Sequence, residues 1–565
     1  RFPIEALAYD DDQDRFVIAA LAGPELVVEL AEKRIDFLTQ ETRLESTLAR
    51  RNLAFTPRGV VLDGNHRWVT VGAADGRLHR FALPGLEPLE TLDLKKGELT
   101  AIQGLLGGVS LLVGWADGTI SQVFPVRKAD ADYALQHVRD FAGLDAPVVS
   151  LLPEGRRRGF AAVSASGTLG LYHSTAGRQV LQHGFSGGGA VALAFPPRSD
   201  QILKLDGDGE LIRLHIDNPH PEVSFATLWR AVWYENYPEP RFIWQSTAAN
   251  DDFEPKFSLA PLAIGTLKAS LYAMLFAVPV ALLGATYTAV FMAPALRRKV
   301  KPAIELMAAL PTVILGFLAG LWLAPFIEEN LAGLLTLALL VPTGLLAFSY
   351  LWTTSALKRR FPGLRGWEPL LLIPVIIGLA MLALWLASPL QQLLVGGDLR
   401  EWLSQEAGIS YDQRNAIIVG IAMGFSIIPI VFSIAEDALY AVPRTLSDGS
   451  LALGATRWQT LVRIVLPTAS PGIFSGLMIG LGRAVGETMI VLMATGNTPI
   501  MGWSAFEGMR TLAANIAIEM PESSVAGTHF RVLFLSALVL FVFTFVVNTV
   551  AELIRQRLRE RYASL

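Results

Sequence analysis

From residue 263 onward the chain carries seven apolar runs of membrane-spanning length, at 263–293, 303–327, 331–354, 368–395, 414–435, 471–495 and 531–553. A bilayer core is crossed by about 20 apolar residues of helix. No run in residues 1–222 approaches that length. With 52% hydrophobic and 17% charged residues, the composition fits a polytopic membrane part joined to a soluble one. A net charge of −4 gives no support to a nucleic-acid partner. The absence of cysteine excludes a disulfide framework and thiolate metal sites.

The loops between the runs sort by charge. Arg297, Arg298, Lys299 and Lys301 follow the first run; Lys358, Arg359, Arg360 and Arg365 follow the third. Arg444, Arg457 and Arg463 follow the fifth; Arg555, Arg557, Arg559 and Arg561 follow the seventh. The alternate connections are acidic or mixed, from Glu328 and Glu329 through Asp398, Glu401 and Glu406 to Glu507, Glu519 and Glu522. Basic loops mark the cytoplasmic side. Parity therefore puts the C-terminus inside and residues 1–222 outside. The sequence starts at Arg1 rather than Met, and an outside domain has to be carried across, so a further membrane helix is expected upstream of Arg1.

Residues 1–222 read as all-β. Short apolar strands recur, each followed by a tight turn: Asp75-Gly76, Asp117-Gly118, Ser166-Gly167 and Asp208-Gly209. The turn glycines are 42, 49 and 42 residues apart. Asp-Gly between apolar runs is a hairpin signal, and a period of about 40–50 residues is that of propeller blades. The expectation is a WD-repeat-like β-propeller of four or five visible blades, with Arg15–Ala20 opening one of them. The scattered histidines His66, His79, His137, His173, His183, His215 and His220 show no metal-ligand spacing. Residues 223–262 gather Phe225, Trp229, Trp233, Tyr234, Tyr237, Phe242 and Trp244. Amphipathic aromatics collect at membrane–water boundaries, so this stretch reads as an interfacial elbow. The alternative is a segment capping the propeller.

Two stretches of the membrane part carry chemistry. In the sixth run, Arg483 and Glu487 stand four residues apart, on one face if the helix is continuous. Charges inside such a segment face a pathway or one another. Either they form a salt bridge that locks helix packing, or they are a charged station on an ion path. Gly476, Gly480, Gly482 and Gly486 form two GxxxG patterns that allow close helix approach. In the loop 436–470, Asp448-Gly449-Ser450 is followed at fixed spacing by Gly454, Ala455, Arg457 and Leu466-Pro467. Gly454 allows a sharp turn, and Pro467 suits the first turn of the next helix.

That loop has the spacing of the EAA loop of ATP-binding-cassette importer permeases, with Asp-Gly-Ser standing where Glu-Ala-Ala is usual. The departure makes a less regular first turn the expectation. Together with Gly265–Ser270, Leu296–Leu306, Ala441–Leu446 and Gly482-Arg483-Ala484-Val485-Gly486-Glu487-Thr488, it makes residues 259–327 and 412–555 resemble the C-type permease subunit of the bacterial phosphate-specific importer. The resemblance implies an inner-membrane permease domain over 263–565 and a coupling helix in the loop. It makes the propeller an insertion between the family's first two spans and 331–395 an extra hairpin. It also implies a sister permease, two cytoplasmic ATPase subunits holding ATP and Mg, an external phosphate-binding protein, and lipid around the helices. No GxxxxGK[ST] occurs, so ATP is not expected on this chain through a P-loop.

Arg483 is the expected anion contact, since a guanidinium matches phosphate oxygens two at a time. Glu487 is expected to hold Arg483 when the site is empty, and Thr488 lies beside it. Glu305, ahead of the helix-breaking Pro311, is either a gate or an interfacial acid paired with a nearby base. Asn497 and Thr498 either meet incoming anion or cap a helix. A permease for another oxyanion, such as sulfate or molybdate, is the alternative within the class. An envelope-binding or sensory propeller anchored by its helices is the alternative outside it.

Overall fold

A computed structural model of the chain describes residues 3–12, 14–35, 42–128, 132–184, 190–206, 209–247, 253–354 and 368–562. It divides into two compact units, Arg1–Ser258 and Leu259–Leu565. The basic cluster at Lys358–Arg365 and the turn residue Asp208 lie outside the described residues.

The first unit is all-β. Strands β1 (Ala6–Asp12) to β4 (Thr42–Asn52), β5 (Pro57–Leu62) to β8 (Pro88–Asp93), β9 (Leu99–Gly104) to β12 (Tyr133–Phe141) and β13 (Val148–Pro153) to β16 (Arg178–Gly184) form four antiparallel sheets, each paired in chain order. A fifth sheet, β17 (Ala190–Ala194) to β19 (Leu211–His215), has three strands. All four recurrent turn glycines have positive φ, between 80° and 87°. Residues 15–20 form the second strand of the first sheet. Along that strand Val17, Ala19 and Leu21 are buried while their neighbours are not, the period of a pleated strand.

The apolar clusters lie between successive sheets. Val17 and Leu26 pack with Val69 and Phe81, Leu78 with Trp115 and Val123, Phe141 with Phe160 and Tyr172, and Val163 with Ile202. The first strand of a sheet packs on the first strand of the next, β1 on β5, β5 on β9 and β9 on β13. The sheets thus stack as blade-like meanders.

The first compact unit continues through Ser258, so most of the stretch 223–262 belongs to it. Helix α1 (Phe225–Trp229) is one short turn with a Ser224–Thr227 capping box. The Trp233 ring meets Phe124 edge-on at 6.0 Å, and the Trp233 carbonyl accepts a hydrogen bond from Arg139. Arg158 pairs with Glu235 at 2.9 Å. Trp244 and Phe257, joined by a two-residue ladder, are buried against each other. Trp233 thus finds its partner on a sheet, while Trp244 and Phe257 pack on each other within the segment.

The second unit is helical: α2 (Ala260–Val290), α3 (Pro294–Met307), α4 (Thr312–Glu329), α5 (Leu331–Thr354), α6 (Glu368–Val395), α7 (Leu399–Gln405), α8 (Ala416–Tyr440), α9 (Arg444–Ala452), α10 (Arg457–Gly486), α11 (Met489–Ala494), α12 (Leu512–Glu519) and α13 (Thr528–Tyr562). Among the described residues, seven helices are long and apolar enough to cross a membrane. Helix α8 is the hub. It runs along α2, where Ala269, Ala273, Ala277, Ala281 and Ala285 recur every fourth residue and are buried. Gly420 and Gly424 of α8 close the seam: a Cβ on Gly424 would stand 2.5 Å from the Phe276 ring. Small residues on both sides let the backbones approach. Helices α5 and α6, the extra hairpin, pack mainly on each other.

Two expected spans change. The run 303–327 is interrupted as Pro311 requires, so 303–307 end the amphipathic α3 and the spanning helix starts at Thr312. The run 471–495 is the end of a helix that starts at Arg457, a break, and the short α11. In α4 and α10 a π-helical turn, Ala319–Leu323 or Leu461–Val465, precedes a proline by two residues. The π turn resets the hydrogen-bond ladder ahead of a residue that cannot donate. Pro467 therefore sits inside a continuous helical run rather than at its start.

Candidate functional site

The sixth run contains the feature that organises the site. Helix α10 ends at Gly486, Glu487 is extended (φ −69°, ψ 128°), and α11 begins at Met489. Arg483 and Glu487 are therefore not on one helix face, and no ion pair joins them. Glu487 turns the other way: its Oε1 accepts the backbone N–H groups of Met489 at 3.2 Å and Ile490 at 3.4 Å, capping α11. Arg483 is left in the last turn of α10, half-buried, with no hydrogen-bond or ion-pair partner among the described residues. The Thr488 hydroxyl donates to the Gly486 carbonyl at 3.3 Å, within the break.

The break is held against a second one. Helix α11 lies on α4, just past the Ala308–Pro311 interruption. Gly316 and Gly320 make room: a Cβ on Gly316 would stand 2.8 Å from the Met489 carbonyl oxygen, and one on Gly320 would stand 2.4 Å from that of Met493. Two interrupted segments thus lie side by side.

The remaining expected residues fall as follows. Asn497 (φ 51°) bonds the Leu492 carbonyl through Nδ2 at 2.9 Å, closing the C-terminal end of α11, which is the capping alternative. Glu305 is exposed near the end of α3 and accepts the Ser433 hydroxyl at 3.1 Å. The GxxxG glycines divide. Gly476 and Gly480 face Ile434, Val431 and Ile427 of α8, Gly482 faces Asn548 of α13, and a Cβ on Gly486 would touch nothing within 4 Å. Gly486 ends a helix rather than packing one.

In the loop, α9 runs unbroken through Asp448-Gly449-Ser450, so the expected irregular turn is absent. Gly449 costs the helix about 1 kcal/mol relative to alanine without breaking it, and Ser450 Oγ meets Thr460 Oγ1 at 2.9 Å. Gly454 takes φ +87°. Ala455 follows it, its N–H bonded to the Ser450 carbonyl. Thr456 caps the next helix with Gln459, ahead of Arg457. Helix α9 buries none of its residues, and Leu453 (92%) and Trp458 (65%) stand out into the surroundings.

Against known proteins, the family described as binding-protein-dependent transport system inner membrane component matches residues 277–561, just over half of the chain. The chain belongs to this family. It is the permease component of an importer, a multi-pass protein of the inner membrane. Among relatives, it is 25% identical over 296 residues to the probable ABC transporter permease protein YqgH of Bacillus subtilis, covering 52% of this chain and 70% of the relative. It is 28% identical over 304 residues to the phosphate transport system permease protein PstC of Mesorhizobium japonicum, covering 54% and 75%. A shorter match, 36% over 144 residues, covers 25% of the chain and 47% of the phosphate transport system permease protein PstA 1 of Mycobacterium tuberculosis.

Sequence reasoning passed over two groups in this permease. Lys268 of α2 is buried, and its Nζ reaches the carbonyls of Glu507 and Gly508 at 3.3 and 3.5 Å, pinning the segment before α12. A lysine inside an apolar run is itself the signal that could have found it. Glu436 is wholly buried at the end of α8 and holds Arg297 and Lys301 of α3. The expected span stopped at residue 435 and so left it in a loop.

Proposed function

We propose that this chain is the C-type permease of an ATP-driven importer that moves inorganic phosphate into the cytoplasm by alternating access. The observation that carries the proposal is Arg483: a guanidinium without a carboxylate partner among the described residues, at the tip of a half-helix beside a second interrupted helix. The similarity to permeases named for phosphate transport supports phosphate as the substrate. A planar cation that is not already neutralised is available to an anion, which it would hold by paired charge-assisted bonds. Glu487 and Thr488 shape the break around it, Asn497 closes the far end of α11, and Glu305 stands at the other interruption.

In this reading the basic loops face the cytoplasm and the β unit lies outside. A sister permease completes the path, and an external phosphate-binding protein delivers the anion. Two ATPase subunits carry ATP and Mg. Helix α9 docks into them; the exposed Leu453 just after it and Trp458 at the start of α10 support that, because large apolar groups on a cytoplasmic loop need cover. ATPase closure would move α9 and rock the helices between inward- and outward-open forms.

The test is ATP-dependent uptake of labelled phosphate into vesicles holding the assembled complex, wild type against Arg483→Ala, with ATP hydrolysis followed in the same sample. Uptake should vanish while hydrolysis continues. Survival of uptake would mean that Arg483 is off the path.

A further inference from the structure

Helices α3 and α8 are joined by a polar seam that continues into α9. Arg297, Lys301 and Glu305 recur every fourth residue, on one face of α3. Arg297 and Lys301 both pair with the buried Glu436, the latter at 2.9 Å, and Lys301 also reaches Asp437 at 2.5 Å. Glu305 completes the seam through Ser433. The Arg297 guanidinium lies 3.8 Å from the centre of the Tyr440 ring, and Arg444, the first residue of α9, stands with Tyr440 on the wall of one cavity. Contacts therefore run from Tyr440, the last residue of α8 and the cavity neighbour of Arg444 in α9, to Arg297 of α3 and on to Glu436 in the core of α8.

Little else fixes α9. None of its residues is buried, and a cavity of about 340 Å³ separates it from the ends of α2, α8 and α10, lined by Val290, Leu439, Arg444, Ser447 and Leu461 among others. A helix that buries nothing is not oriented by packing. Its angle is set by its two chain connections, the Ser450–Thr460 bond and its cavity neighbour Tyr440. A fully enclosed carboxylate shared by two cations is in turn a rigid anchor, because parting them strands a charge.

We propose that this relay joins α9 to α3 and α8 as one moving piece, making Tyr440, Arg297 and Glu436 positioning residues for energy coupling. The proposal rests on the reading of α9 as the ATPase contact. Without the relay, a push on α9 is spent in closing the cavity behind it rather than in tilting α3 and α8. Helix α3, until now a connector between spans, becomes part of the transmission.

The test uses the assembled complex in vesicles and reads phosphate moved per ATP hydrolysed. Tyr440→Ala removes the ring, Tyr440→Phe keeps the ring for Arg297 and drops the hydroxyl, and Glu436→Gln removes the anchor charge. Hydrolysis should stay within about twofold of wild type while phosphate per ATP falls about tenfold in Tyr440→Ala and Glu436→Gln. Tyr440→Phe should lose less, and Glu436→Asp should recover part of the ratio. An unchanged ratio overturns the proposal. So does a parallel fall of hydrolysis and uptake with loss of subunits, which would make the seam merely structural. A second readout does not depend on phosphate. The chain has no cysteine, so spin labels at Lys299→Cys and Thr445→Cys report the α3–α9 distance alone. That distance should stay sharp with and without nucleotide in wild type and broaden in Tyr440→Ala; a wild-type distance that changes with nucleotide refutes a single moving piece. If wild type moves no phosphate at all, the functional reading fails and the label distances still decide the relay.

Discussion

Glu487→Gln separates the two jobs open to the Glu487 carboxylate. Its Oε1 caps α11 at 3.2 and 3.4 Å, and its Oε2 has no partner among the described residues. An amide keeps one acceptor oxygen, so the cap survives. What is lost is a charge at a helix N-terminus, about 0.3–1 kcal/mol. Glu487→Ala loses the cap as well, about 1 kcal/mol. Both are small enough for the permease to assemble. The effect on substrate is larger. At pH 7 phosphate still carries a hydroxyl proton that a carboxylate can accept, whereas sulfate carries none. With Oε1 committed to the cap, the glutamine would present its NH₂ where Oε2 stood. The phosphate hydroxyl would then face a donor, and a buried group left unpaired costs about 1–3 kcal/mol. That converts to a shift of about 5- to 150-fold in preference towards sulfate. The assay is uptake of labelled phosphate and labelled sulfate by the reconstituted complex. Dividing the variant's ratio by that of wild type cancels the discrimination made by the external binding protein. An unchanged ratio with uptake intact would refute the reasoning and leave Glu487 a capping residue.

Two further substitutions test the geometry. Gly480→Ala places a Cβ 2.7 Å from Val431 Cγ2 and 3.1 Å from Ile427 Cγ2, whereas Gly486→Ala meets nothing within 4 Å. Thermal unfolding of the purified complex should show a loss of about 1–3 kcal/mol for the first and little change for the second; equal shifts would contradict the assigned packing. In the β unit, burial pushes the Glu254 carboxyl up to about 7 from 4.5, opposed by a hydrogen bond from Thr175. Its Oε1 is buried and has no hydrogen-bond partner among the described residues. The folded state therefore holds a proton that the unfolded chain releases above its own lower pKa. Stability should be highest below about pH 4.5 for this group and fall by about 3 kcal/mol as pH rises to 7, levelling off above. Glu254→Gln should flatten that slope, read by hydrogen exchange across residues 224–257 at pH 5 and pH 8. Parallel slopes in both proteins would count against the assignment.

Much of the fold was legible because it rests on periodicities that tertiary context rarely overrides. Gly76, Gly118, Gly167 and Gly209 all sit at positive φ, where a side chain is strained, so their spacing counted sheets without knowledge of any contact. The aromatic stretch was ambiguous for a physical reason. Trp233 and Tyr234 are as suited to a sheet face as to a lipid headgroup layer, and only the partners, Phe124 and Arg139, decide between them. The α2–α8 seam was invisible for the opposite reason. Alanine every fourth residue is unremarkable in an apolar helix until the glycines that face it are known.

The site was misread at one step, and the error has a cause. A spacing of four between Arg483 and Glu487 makes a pair only if every residue between them is helical. Gly486, Glu487 and Thr488 instead form a sentence of their own: a glycine closes one helix, and an acid with a free N–H two and three residues on opens the next. Local capping and helical pairing compete for the same carboxylate. Capping wins here because the first N–H groups of α11 have no other side-chain acceptor among the described residues. The same competition explains why the break and the free guanidinium occur together. Had Glu487 stayed helical it would have neutralised Arg483, and the cation would not be available to substrate. The discontinuity is therefore what frees the charge, and restoring the helix, not only deleting the arginine, should abolish anion binding.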